Sequence, residues 1–92
     1  MNKDEIYYLV RKSLHNLCNA LYNESLSDNI LIFKAGECCG ELCRLIDSIP
    51  INMSSVRDDV RRISNEVTSL FYNGIKDKEM VLNTLENIVF KL

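Results

Sequence analysis

Five side chains in this sequence have the chemistry to hold a metal or attack an electrophile: His15 and the thiols of Cys18, Cys38, Cys39 and Cys43. His15 and Cys18 are three residues apart, and Cys39 and Cys43 four. On a helix each pair presents two ligands from one side, and two such pairs on adjacent helices are the raw material of a tetrahedral zinc site. The angular phase argues against that site. His15 lies about 130° from the centre of the apolar stripe on its helix, so it faces solvent while Cys18 turns partly inward. Knuckle spacings of the Cys-x-x-Cys type are absent. The expectation is no metal and no cofactor. Adjacent Cys38 and Cys39 point about 100° apart on a helix, so both cannot bridge Cys18. The thiols read as reduced, partly buried small hydrophobes.

Catalysis fails on the same inventory. The one histidine sits on an exposed face near Tyr8, Arg11 and Tyr22, away from any cysteine–carboxylate arrangement in a cleft. There is no glycine-rich phosphate loop and no zinc-protease motif. A chain of 92 residues also has little volume for a substrate pocket. We expect no enzyme.

A different spacing is more informative. Gly36 and Gly40 fall one turn apart in a helical stretch, beside Ile32, Cys39 and Cys43. The polar side of that stretch is narrow: Lys34, Glu37, Glu41, Arg44 and Ser48. Well over half its circumference is apolar or small, whereas a helix in a bundle buries a stripe about 100° wide. Each interior glycine costs about 1 kcal/mol relative to alanine. Close approach of another backbone would offset that cost. Two readings stay open: a groove for a second molecule made by Ile32, Gly36, Cys39, Gly40 and Cys43, or a tight helix crossing within the chain.

Arg57 and Arg61, one turn apart on a later helix and interleaved with Asp58 and Asp59, allow a similar pair of readings. They make either a solvated face with local ion pairs or an electrostatic docking surface for a protein. Tyr8, Tyr22, Phe33, Tyr72 and Phe90 fall off the apolar stripes, and aromatic residues outside the core are enriched at binding hot spots.

The elements that must position these residues follow from period and caps. The first helix spans about Lys3 to Tyr22, with Ile6, Val10, Leu14, Leu17 and Leu21 at three- and four-residue steps and an Asn2/Glu5 capping box. The second spans about Asp28 to Ile49, capped by Ser27 and stopped by Pro50, with an inward stripe from Leu31 to Ile49. The third spans about Ser55 to Asn73, with Ser54 as its cap, Val56, Val60, Ile63, Val67, Leu70 and Phe71 inward, and Gly74 as a left-handed stop. The fourth spans about Asp77 to Lys91, with Val81, Leu82, Leu85, Ile88, Val89 and Leu92 inward. Short loops force sequential helices to be antiparallel neighbours. The expected fold is all-α: one domain over residues 1–92, an antiparallel up-down four-helix bundle with a short fourth helix.

Composition bounds the partners. Hydrophobic residues make up 47% and charged residues 26%, the balance of a folded domain and not of a disordered one. The net charge of −2, with both signs interspersed, provides no basic face, so no nucleic-acid binding is expected. The longest apolar run, Ile30 to Phe33, is far short of the roughly 20 residues of a span, so no membrane insertion is expected. The opening Met1 to Glu5 lacks the basic-then-apolar layout of a secretory signal. The expected location is the cytoplasm, or the host cytoplasm for a viral gene.

The layout of four helices, the segment Phe71-Tyr72-Asn73-Gly74-Ile75 and the leucine-spaced fourth helix from Lys78 to Ile88 resemble the small bacteriocin immunity proteins of Gram-positive bacteria. That resemblance implies a cytoplasmic protein that protects its producer by engaging a toxin or the toxin's receptor. The favoured expectation is therefore a protein–protein interaction module of the immunity, antitoxin or inhibitor type, acting on a heterologous protein partner. The alternative is an oligomeric scaffold or small-ligand-binding bundle, such as a phage counter-defence protein, forming a homodimer through the second helix.

Overall fold

The computed structural model describes residues 1–72 and 74–92, which are all-helical with no strand. Four α-helices follow in order, α1 (Lys3–Tyr22), α2 (Asp28–Ser48), α3 (Ser54–Phe71) and α4 (Lys78–Lys91), with a 3₁₀ turn at Ile51–Met53 before α3.

Local chemistry sets three of the four starts. At α1 the Asn2 side chain accepts the Glu5 amide at 2.9 Å, which is one half of the capping box; the Glu5 carboxylate turns back to the Asn2 side-chain amide, at 2.8 Å, and not to the Asn2 backbone N–H that the reciprocal half would use. Ser27 accepts the Ile30 amide at 3.4 Å, and Asp77 accepts the Met80 amide at 3.1 Å. The start of α3 differs from the sequence reading. Pro50 opens a 3₁₀ turn closed by the Met53 amide donating to the Pro50 carbonyl at 2.9 Å. Ser54 is thereby already helical (φ −60°, ψ −35°), and no side chain caps α3. The turn delivers the chain in helical register, so Ser54 never occupies the extended geometry that a capping side chain needs.

The ends obey the expected stops. α2 closes at Ser48, and Ile49, restricted by Pro50, is extended. As described, α3 closes at Phe71; the expected extension to Asn73 lies outside the described residues. Gly74 has φ +82° and its amide donates to the Phe71 carbonyl at 3.1 Å. That is the left-handed stop that only glycine adopts without strain.

The stripes meet in one core. Ile6, Val10 and Leu14 of α1, Leu31 and Leu42 of α2, Val60 and Val67 of α3, and Val81 and Leu85 of α4 are at most 1% exposed. α1 packs between α2 and α4, α2 between α1 and α3, and α3 touches α4 only lightly. The fourth helix is therefore less buried than its stripe suggested. Val81 and Leu85 are enclosed, but Leu82, Ile88, Val89 and Leu92 are half-buried, because neighbours cover this short helix mainly from the α1 side.

Polar ties cross the core's rim. The Tyr22 hydroxyl donates to the Glu86 carboxylate, and Arg11 donates to the Leu92 carbonyl at 3.3 Å, so α1 and α4 run in opposite directions. The Tyr7 hydroxyl donates to Asp59 at 2.8 Å and ties α1 to α3. The molecule is elongated, 42 × 21 × 17 Å, and its two longest helices, α1 with 20 residues and α2 with 21, each extend about 30 Å. Among the described residues no helix is long and apolar enough to cross a membrane.

Candidate interaction surface on the second helix

Leu31, Ala35, Cys38, Leu42 and Leu45 fix the buried side of α2. At about 100° per residue, Phe33, Gly36, Gly40 and Arg44 then fall on the opposite side. The structure places Gly36 exposed and Gly40 half-buried. A methyl group on Gly36 would meet nothing within 4 Å. On Gly40 it would meet only Arg44 Nη1 of the same helix, at 3.6 Å. Among the described residues no other helix crosses at these glycines, so close packing within the molecule is not what they serve. They form the floor of a shallow surface groove lined also by Phe33, Glu37, Glu41 and Arg44. Phe33 is 68% exposed at one end of it.

The other residues singled out from sequence occupy the α2–α3 edge. Ile32 and Cys43 are exposed and Cys39 is half-buried. Cys39 Sγ lies 3.4 Å from the Thr68 hydroxyl of α3. Thr68 commits its own proton to the Ser64 carbonyl at 2.9 Å, so the thiol is the donor in that pair. Arg61 and Arg57 lie seven and eleven residues before Thr68, spacings that return to the same side of a helix. They therefore continue the edge that Cys39 and Thr68 mark. Arg61 is exposed. Arg57 is half-buried, and its Nε is enclosed without a hydrogen-bond acceptor. Arg62 carries the local ion pairs of α3, 3.4 Å from Asp59 and 3.9 Å from Glu66. Such exposed pairs contribute only tenths of a kcal/mol, about 0.3–0.5 each.

The thiols divide into two kinds. Cys18 and Cys38 are buried in the seam of α1 and α2, and burial pushes both up to about 11. The Ser13 hydroxyl donates to Cys38 Sγ at 3.3 Å, which partly opposes that rise. Cys39 and Cys43 lie at or near the surface. His15 is exposed while Cys18 is enclosed, so this pair does not converge. Among the described residues no group of three or more metal-ligating side chains gathers.

A second concavity lies where α1, α3 and α4 meet, lined by Tyr7, Arg11, Asp59, Arg62, Glu66 and Lys91 among others. Its charges alternate in sign, and Tyr7, Asp59, Arg62 and Arg11 already hold partners within the chain. It presents no concentrated field to a ligand.

Sequence reasoning named the glycines but left Glu37, Glu41 and Arg44 as an ordinary polar side. The signal was present, because Phe33 and Arg44 flank the glycine pair at three- and four-residue steps. Tyr7 and Asp59 carried no local signal, since 52 residues separate them. Comparison with protein-family models, with characterised proteins and with solved structures finds no match to this chain.

Proposed function

We propose that this chain is a non-catalytic protein-binding module of the immunity, antitoxin or inhibitor type, which neutralises a toxin or a toxin's target by covering part of its surface. In this reading it works in the cytoplasm without cofactor or nucleic acid, and its four helices form an antiparallel up-down bundle. The opposed directions of α1 and α4 support that arrangement.

One observation carries the reading. Two interior glycines occupy a helix side that, among the described residues, no other part of the chain covers, although alanine would favour the isolated helix by about 1 kcal/mol at each position. Stability of the lone fold does not account for them, whereas close approach by another chain does. The exposed aromatics Phe33 and Tyr72 add large apolar surface of the kind that anchors protein interfaces.

The test is affinity capture from native lysate with the wild-type chain and with Gly36→Leu, whose added Cβ meets nothing within 4 Å. The expected result is one heterologous protein in stoichiometric amount with the wild type, lost with the variant at unchanged helicity. Capture of nothing but the chain itself would refute the immunity-or-inhibitor reading.

A further inference from the structure

Cys39 and Cys43, the two thiols at or near the surface, stand one turn apart on the same side of α2. Residues four apart on a helix are neighbours, with Cβ atoms about 5–6 Å from each other. Helical Cα–Cβ bonds tilt toward the preceding turn, so the Cys43 thiol leans toward Cys39. Gly36 and Gly40 flank the pair on the outward side, where a methyl on either would meet no other helix. The Cys39 thiol has one partner within the chain, Thr68 Oγ1 at 3.4 Å, and a thiol is a weak donor that a ligand readily replaces.

The spacing selects the chemistry. A disulfide needs Cβ atoms about 3.5–4.5 Å apart, so this pair cannot close a bridge without distorting the helix. Structural zinc takes four ligands, and among the described residues no group of three gathers. A linear sulfur–metal–sulfur unit needs only two. With metal–sulfur bonds of about 2.3 Å it spans about 4.6 Å, a distance that thiols on Cβ atoms about 5–6 Å apart reach by choice of χ1. Soft thiolates select soft cations, and copper(I) is the biological monovalent one. Cys38 does not join the pair, because it is buried and about 100° around the helix from Cys39.

We infer that Cys39 and Cys43 form a two-coordinate thiolate site for copper(I). Each thiol releases its proton as its sulfur binds, so one ion displaces two protons and two metal–sulfur bonds form, with no change of oxidation state. The resulting unit carries one negative charge. Arg61, exposed on the same α2–α3 edge, supplies the opposite charge. The site stands apart from the proposed protein-binding function, which requires no cation.

The test is anaerobic titration of the full, reduced chain with copper(I) against the chromophoric chelator bicinchoninate, with native mass spectrometry to count ions and chains. The expected result is one ion on each monomer. Cys39→Ser and Cys43→Ser should each lower the affinity at least about a hundredfold, because the second thiolate is no longer held close to the first. Cys18→Ala and Thr68→Val, at unchanged helicity, should bind as the wild type does. Cys43→Ser combined with Glu41→Cys keeps four thiols but sets the moved one about 160° around the helix from Cys39. It should bind as weakly as Cys43→Ser alone. X-ray absorption of the loaded chain should show two sulfur neighbours at copper. A chain that holds no ion overturns the inference. So do single substitutions that each cost less than about tenfold, which is the behaviour of independent thiols. Rescue by Glu41→Cys, or an ion that bridges two chains, overturns it as well. A chain without copper that still captures a heterologous protein would sink this inference and leave the proposed function standing. A copper-binding chain that captures nothing would do the reverse.

Discussion

The Tyr7 hydroxyl donates to the Asp59 carboxylate at 2.8 Å, joining the second turns of α1 and α3 across the rim of the core. Burial, then the bond to Asp59, holds the phenol above its ordinary range. Tyr7→Phe removes the bond and keeps the ring. Because Asp59 remains half-exposed and can turn to water, the cost should be that of one hydrogen bond, about 0.5–1.5 kcal/mol. Urea unfolding monitored by circular dichroism checks this. A loss above about 3 kcal/mol would mean that the ring packing, not the bond, had been disturbed.

The buried thiols predict both reactivity and alkaline stability. The thiolate is the nucleophile, and Cys18 and Cys38 are held up to about 11 by burial. In native protein at neutral pH, iodoacetamide should modify Cys43 first and Cys39 more slowly. Cys18 and Cys38 should react at least about tenfold more slowly than Cys43, through opening of the fold. Peptide mass spectrometry over time resolves the four rates. The same shifts set a sign for stability. Above pH 9 the unfolded chain releases these protons while the folded chain retains them, so the unfolded state binds fewer and stability falls as pH rises. The contribution is complete below the ordinary thiol value of 9.0 and is lost through about 11. A urea midpoint that does not fall across that window would contradict the burial of both thiols.

Periodicity made the core legible before any coordinates, because Ile6, Val10, Leu14 and Leu17, and Leu31, Ala35, Cys38 and Leu42, each keep to one helix side. Caps were legible where one side chain meets an amide three residues on, as Asn2, Ser27 and Asp77 do. The α3 start was not, because Pro50 through Met53 form their turn from backbone bonds that leave no side-chain signature. The partial covering of α4 was also hidden. A stripe shows what a helix can bury, but only the arrangement of the other three decides how much it does bury. For the candidate surface, sequence gave the glycine spacing, while the direction the glycines face depended on which side of α2 the core claimed.

That difference between caps is testable. Ser27→Ala and Asp77→Ala each remove an acceptor from a first-turn amide and should cost about 0.5–2 kcal/mol. Ser54→Ala removes nothing, since Ser54 is within the helical turn and caps no amide. It should change stability by less than about 0.5 kcal/mol. Thermal melts of the three variants separate the cases. A Ser54→Ala loss equal to that of Ser27→Ala would show that the 3₁₀ turn does not deliver the chain to α3 in solution.

The glycines should respond to alanine in opposite directions. Gly36 has ordinary helical geometry, and its added methyl meets nothing within 4 Å. Gly36→Ala should therefore raise the stability of the isolated chain by up to about 1 kcal/mol. Gly74 has φ +82°, where a side chain is strained whatever the space around it. Gly74→Ala should lower stability by about 1–2 kcal/mol. For a domain of this size each kcal/mol moves Tm by about 4–8 °C. Dilute protein is required, so that any contact between chains at the α2 groove does not enter the measurement. A stabilised Gly36→Ala would establish that the glycine is unfavourable for the lone fold and that its value lies outside it. A destabilised Gly36→Ala in dilute solution would mean that some part of the chain itself packs there, which would remove the observation on which the α2 surface rests.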